Sequence, residues 1–258
     1  MSIVFFHAHP DDESIFTGGT IARLSAAGHR CVIVIATSGE LGTPAGGHEA
    51  GDDAADEGWE LATIRRREAH RAAERLGAAR IDFLGYSDSG LTAMGEPPVG
   101  AFAVANVAEA ASRLAQILVE EAASELVIYD DGGIYGHPDH LAVHRVGLAA
   151  AAMSSTETVY EATVDREYLH FVETHLVGHA LDALGEPAPM GVPTVLLSAT
   201  VDVRAVIDAK REAMAAHVSQ LPPHAPVLTM DRETFAAVYG FEWFVRHGPA
   251  GLIDTLGF

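Results

Sequence analysis

Lysine occurs once in this chain, at Lys210, asparagine once, at Asn106, and cysteine once, at Cys31. A single cysteine excludes an intrachain disulfide framework and fits a reducing cytoplasm. Inside the apolar run Cys31-Val32-Ile33-Val34-Ile35 it reads as a core residue. Positive charge is scarce: 16 lysines and arginines stand against 36 aspartates and glutamates, a net charge of -20. That balance excludes nucleic acid as a partner and favours a neutral, cationic or small polar substrate. Long apolar runs are lacking too, so no membrane-inserted helix is expected. The chain enters a strand directly after Met1-Ser2, without a basic stretch and long apolar core. No signal peptide is expected, and the reading is cytoplasmic. There is no G-x-x-x-x-G-K-[ST] loop, no G-x-G-x-x-G after the first strand and no G-x-S-x-G elbow, which disfavours those routes to nucleotide binding and serine hydrolysis.

What is present is 48% hydrophobic residues in 258, enough for one α/β domain with a large core. A metal-binding core is expected over about 1–160, with 161–258 completing the pocket. Strands are predicted at Ser2–His7, Cys31–Ala36, Ile81–Leu84, Leu126–Tyr129, Val159–Ala162 and Val195–Ala199. Helices are predicted at Asp12–Ala27, Trp59–Leu76, Ala101–Ala122, Leu141–Ala152 and Val203–His217, and a short helix or strand at Ala236–Phe244. The early alternation of strand and helix implies a mostly parallel sheet. Residues 41–57 read as a long functional loop and 177–193 as a loop or lid.

Open parallel sheets bind ligands beyond the carboxyl ends of their strands. Four polar clusters leave such ends: His9–Glu13, Ser38–Glu40, Tyr86–Gly90 and Tyr135–His140. In His9-x-x-Asp12 an imidazole and a carboxylate can approach one ion, with His140 as third ligand from the opposite loop. Two histidines, one carboxylate and a free position match a catalytic zinc pattern. Asp11 is placed to take a proton from water, and His137 to act as acid or to stabilise an oxyanion. Asp139 suits the role of orienting an imidazole from behind. His144, one turn after His140, is an alternative ligand. His7 is either a support for the ion or a satisfied core histidine. Of the Arg65-Arg66-Arg67 run, Arg65 is expected to turn toward the rim, and Lys210 and His217 share a helix face. The competing plain reading makes Asp11, Asp12 and Glu13 helix-capping carboxylates; the second cluster, His137-Pro138-Asp139-His140, argues against it.

Ala8-His9-Pro10-Asp11-Asp12-Glu13 together with Tyr135-Gly136-His137-Pro138-Asp139-His140 resembles the PIG-L/LmbE-like zinc deacetylases. These include the deacetylase of mycothiol biosynthesis, mycothiol S-conjugate amidase and N-acetylglucosaminyl-phosphatidylinositol de-N-acetylases. Further matches are Thr37-Ser38-Gly39-Glu40, Arg65-x-x-Glu68, Ser87-Asp88-Ser89-Gly90-Leu91, Lys210-x-x-Ala213-x-x-x-His217-x-Ser219-Gln220 and Tyr239-x-x-Glu242-x-Phe244. The resemblance implies a Rossmann-like three-layer α/β sandwich in a single domain. It implies zinc, or iron(II), on His9, Asp12 and His140, and Asp11 as general base. His137 would stabilise the oxyanion with help from Tyr135, and Arg65 and Asp88 would hold sugar hydroxyls. The implied substrate is a small N-acetylglucosamine-type amino sugar, or instead a mycothiol-type conjugate or glycosylated natural product. Asp130-Asp131-Gly132-Gly133-Ile134 and the insert 41–57 depart from the mycothiol branch. Two rivals of other classes are a non-haem iron oxygenase using the same triad and a binding module with a structural metal. Whether the chain forms a homo-oligomer is not legible in the sequence.

Overall fold

The computed structural model describes residues 1–42, 54–90, 96–175 and 190–257, with 54–57 and 171–175 described by backbone alone. Most of the expected loop 41–57 and of the expected lid 177–193 lies outside the described residues, as does Leu91. The chain runs β1 (Ser2–His7), α1 (Asp12–Phe16), α2 (Gly18–Ala26), β2 (Arg30–Thr37), α3 (Ala54–Leu76), β3 (Arg80–Tyr86), α4 (Val107–Glu120) and β4 (Glu125–Tyr129). It continues with α5 (Gly133–Gly136), α6 (Pro138–Met153), β5 (Thr158–Thr163), α7 (Arg166–His175), β6 (Ala199–Asp202), α8 (Ile207–Ala216), α9 (Pro226–Thr229), α10 (Arg232–Tyr239) and β7 (Phe241–His247).

The strands form one seven-stranded sheet in the order β3-β2-β1-β4-β5-β7-β6. Strands β1 to β5 are parallel, while β7 runs antiparallel to both β5 and β6. This is the expected α/β sandwich. α2, α3 and α8 pack together in one layer, and α4 and α6 in the other. Burial on both sides explains why β1 and β2 read as continuous apolar runs instead of alternating ones. Cys31 is buried with its sulfur directed at the Ile21 carbonyl, and burial pushes its thiol up to about 11. The chain leaves β1 toward one edge and returns through β4 on the other side, so β1 and β4 flank the switch point, where a crevice opens in such sheets.

The element limits differ from expectation where a distant or unusual cap intervenes. The helix expected over Asp12–Ala27 is split at Thr17, whose hydroxyl bonds the His7 ring at 3.0 Å and the Glu13 carbonyl at 3.1 Å. The second piece starts at Gly18 because Glu242 accepts from the Gly19 and Thr20 amides at 2.8 and 2.7 Å. The helix expected from Ala101 is a 3-10 turn at Phe102–Val104 followed by α4. Asn106, the one asparagine, caps α4 by accepting from the Ala108 and Glu109 amides. α6 begins earlier than expected because Pro138 fits a first helical position and the His137 ring accepts from the Asp139 amide. Thr194–Leu196 is a 3-10 turn, and the expected strand lies instead at Ala199–Asp202. A 3-10 turn at Arg204–Val206 precedes α8. The expected terminal helix or strand is both, α10 then β7, and α7 was not anticipated.

The break between α1 and α2 brings backbone against side chain at Gly19, where a Cβ would sit 2.3 Å from Val203 Cβ. Gly19→Ala is therefore expected to lower stability by about 1–3 kcal/mol, measured as a shift in the urea midpoint. An unchanged midpoint would show that this contact yields freely.

Candidate metal centre

His9 and the Tyr135–His140 segment arrive from the ends of β1 and β4, on the two sides of the switch point. Asp12 opens α1, and its Oδ2 lies 3.4 Å from His9 Nδ1 and 3.3 Å from His140 Nε2 while also accepting from the His9 amide at 2.8 Å. His9, Asp12 and His140 are all buried. His9, His137 and His140 each offer a ring nitrogen within 4.8 Å of the others, and so do the donor atoms of His9, Asp88, His137 and Asp139. Behind the His9 ring, Nε2 meets Asp139 Oδ2 at 3.1 Å. Asp139 is held in turn by the Ser89 amide at 2.9 Å and by the Ser89 hydroxyl. A proton on Nε2 facing Asp139 leaves the Nδ1 lone pair directed to the Asp12 side, the tautomer a metal ligand requires.

Charge in this cluster is unbalanced toward the negative. Burial opposes a charge on His9, yet the carboxylates of Asp12, Asp139 and Asp88 outweigh it and raise the ring well above its usual value. Burial likewise opposes ionisation of Asp12 and Asp88, and both are nonetheless held below the usual carboxylate range, Asp12 chiefly by His140 and Asp88 by His9. Among the described residues, His140 Nδ1 is buried without a hydrogen-bond partner. Buried carboxylates and imidazoles that converge in this way suit a divalent cation, which supplies the missing positive charge. The residues therefore fit a metal.

Asp11 lies at φ 114°, ψ -30°, a left-handed backbone that an L-residue adopts only under constraint. Its amide donates to Glu13 Oε2 at 2.9 Å, and its carbonyl accepts from the Ser14 and Ile15 amides. The carboxylate itself has Arg65 Nη2 at 3.4 Å. Burial lifts the Asp11 carboxyl to about 6 against the pull of Arg65, so it is mostly ionised at neutral pH yet ready to accept a proton. On the opposite side His137 caps α6. Its Nδ1 accepts from the Asp139 amide at 3.1 Å, which leaves Nε2 to carry a proton in the neutral ring. Burial, and then the His9 and His140 rings, push His137 down to about 4. It is therefore a neutral donor and not an imidazolium. Tyr135 Oη stands 3.4 Å from His140 Nε2, its ring is 40% exposed, and burial pushes its hydroxyl up.

The two residues expected to hold sugar hydroxyls, Arg65 and Asp88, are both buried and bonded to backbone. Arg65 is only 3% exposed and turns toward the rim as expected, where Nη1 donates to the Gly39 carbonyl at 2.7 Å and Nη2 to the Pro10 carbonyl at 2.5 Å. Asp88 is turned inward. It lies 3.6 Å from His9 Nε2 and accepts from the Gly90 and Leu41 amides. Both brace the loops around His9 and Asp11. The cause is local: each of these loops has carbonyls and amides at its turn that a nearby long or short polar chain satisfies first.

His7 is a satisfied core histidine, bonded to the Tyr129 hydroxyl at 2.9 Å and to Thr17, and burial pushes it down to about 4. His144 bonds the Tyr129 carbonyl at 3.0 Å, away from the cluster. Lys210 pairs with Glu242 in the core. His217 reaches Glu13 Oε1 at 2.7 Å. Glu13 and Tyr129 were not assigned to the site from sequence. Tyr129, whose ring stacks on His140 at 4.5 Å, ends an apolar strand and carried no signal. Glu13 had one in its neighbours, Asp11 and Asp12, but a capping role explained it equally well.

Residues 4–151 match the family model described as PIG-L, GlcNAc-PI de-N-acetylase. A 1D-myo-inositol 2-acetamido-2-deoxy-alpha-D-glucopyranoside deacetylase of Thermobispora bispora is 33% identical, covering 96% of this chain and 89% of that protein. Among solved structures, an N,N'-diacetylchitobiose deacetylase from Pyrococcus horikoshii superposes with a TM-score of 0.65 at 22% identity, over 96% of this chain and 84% of the other. A 4-carboxy-2-hydroxymuconate hydratase from Pseudomonas putida gives 0.63 at 17% identity, over 97% and 98%. At such identities the likeness is one of fold, and the hydratase shows that this fold serves more than one reaction. The family match and the full-length relative decide membership: the chain belongs to the PIG-L family of GlcNAc-PI de-N-acetylases.

Proposed function

We propose that this protein is a metal-dependent hydrolase that removes the acetyl group from the nitrogen of a 2-acetamido sugar or its glycoside. The observation that carries the reading is Asp11, a carboxylate on constrained backbone beside the His9, Asp12 and His140 donors at the switch point of the sheet. Zinc or iron(II) held by His9, Asp12 and His140 would polarise the acetyl carbonyl and make water acidic enough to attack near neutral pH. Asp11 accepts a proton from the attacking water and returns it to the sugar nitrogen as the C–N bond breaks, leaving acetate and a free amine. His137 donates from Nε2 to the carbonyl oxygen as negative charge builds there, with the Tyr135 hydroxyl close by. Asp139, fixed by Ser89, keeps the His9 ring in one tautomer. Arg65 and Asp88 act through the loops they brace. On this reading residues 1–258 form one catalytic domain, with 161–258 closing the pocket, and no helix among the described residues is long and apolar enough to cross a membrane.

The test is acid release from N-acetylglucosamine, its inositol glycoside, a mycothiol conjugate and an N-acylated glycopeptide. Fastest acetate release from one of the first two supports the reading. A clear preference for either larger conjugate moves the substrate to that class and keeps the chemistry. No acid release from any of the four, with the metal in place, would overturn it.

A further inference from the structure

The proposed base is held by a device that the reaction itself does not use. Glu13 and His217 are fully buried, come from elements 204 residues apart and touch no atom of the His9, Asp12 and His140 donor set among the contacts described above. Both oxygens of Glu13 are engaged. Oε2 accepts from the Asp11 amide at 2.9 Å, and Oε1 takes the Ser14 hydroxyl at 2.6 Å and His217 Nε2 at 2.7 Å. The amide of Asp11, whose backbone is left-handed, is satisfied by a carboxylate two positions ahead in the same turn. A glutamate on a freshly started helix has rotamer freedom, so the bond to Asp11 is only as fixed as the other end of the carboxylate.

His217 supplies that fixed end. It follows α8 directly, its amide donates to the Met214 carbonyl at 3.2 Å, and its carbonyl accepts from the Gln220 and Leu221 amides at 3.0 and 2.7 Å. The ring therefore stands on a tight turn, and its one close partner is Glu13, with Ser14 Oγ farther away at 3.5 Å. Burial disfavours charge on this pair, yet Glu13 is held below and His217 above their usual values because each stabilises the other. A plain core ion pair would account for the burial. It would not account for a carboxylate shared between His217 and the amide of the one left-handed aspartate at the centre.

We propose that Glu13 and His217 are positioning residues: through the Asp11 amide they hold the left-handed backbone that aims the Asp11 carboxylate at the reacting centre. The proposal rests on the deacetylase reading with Asp11 as base. It makes the last third of the chain necessary to the geometry of a motif at its start, although no residue of that third is given a part in the chemistry.

A kinetic cycle tests it, with His217→Leu, Asp11→Asn and the double variant, each checked for bound metal and urea midpoint. His217→Leu is expected to lower kcat by about 10–100-fold, as loss of a supporting contact does, with KM nearly unchanged and metal retained. His217→Gln, which keeps an N–H donor, recovers most of the loss. In the Asp11→Asn background, the change to leucine costs nothing further, because His217 acts only through Asp11. Losses that multiply in the double variant, or a kcat untouched by leucine, would overturn the proposal while leaving the base in place. An Asp11→Asn enzyme as active as the parent would instead overturn the underlying reading. If His217→Leu does not fold, Glu13→Gln carries the same cycle.

Discussion

Asp11→Asn is expected to lower kcat by about 10²–10⁴-fold, the contribution typical of a positioned general base, while the protein keeps its metal. The substitution is chosen for its shape. Asparagine matches aspartate in size and is among the few residues that tolerate positive φ, so the left-handed turn survives. The Glu13 bond to the backbone amide is untouched, and so are the Arg65 bonds to Pro10 and Gly39. What is lost is the ability to accept a proton, together with the charge that faces Arg65 Nη2 at 3.4 Å. Steady-state acetate release, paired with metal analysis of the same sample, measures the effect. A loss smaller than about tenfold would fall below the range for a general base and would remove Asp11 from that role.

Lys210→Met is expected to destabilise the fold by about 3–5 kcal/mol, the cost of leaving a buried charge without its partner. Lys210 Nζ donates to Glu242 Oε1 at 2.6 Å, with the two side chains 2% and 1% exposed. Glu242 also receives the Gly19 and Thr20 amides, so it closes the start of α2 from the far end of the chain. Removing the ammonium leaves a buried carboxylate with only two amide donors. Adding Glu242→Gln to Lys210→Met should restore part of the loss, because the remaining group is then neutral. Urea unfolding of the three proteins measures this. A loss under about 1 kcal/mol for Lys210→Met, the level of an exposed pair, would show that solvent enters the site.

The centre was legible where its residues are neighbours in sequence at a strand end. His9, Asp11 and Asp12 fall within four positions, and Tyr135, His137, Asp139 and His140 within six, so the pattern of strand followed by polar cluster was enough to bring them together. The sheet was legible for a similar reason, since strands buried on both faces announce themselves as apolar runs. The backbone bonds of Arg65 and Asp88 were not legible, because sequence shows which loop or helix carries a polar group, not whether nearby backbone claims it. The pair formed by Glu13 and His217 could not be read, as its members lie 204 positions apart. Glu242 illustrates the same limit in the fold itself. Gly18-Gly19 looks like an ordinary small pair within a helix until a carboxylate from β7 is seen to cap the amides there.

The most direct test of the whole account is metal stoichiometry coupled to turnover. Protein stripped with chelator is titrated with zinc or iron(II) while bound metal and acetate release from the N-acetylglucosamine inositol glycoside are followed together. One ion per chain is expected, with activity rising in step with occupancy and both lost in His140→Ala. Full activity in the stripped protein, or failure to bind either ion, would contradict it.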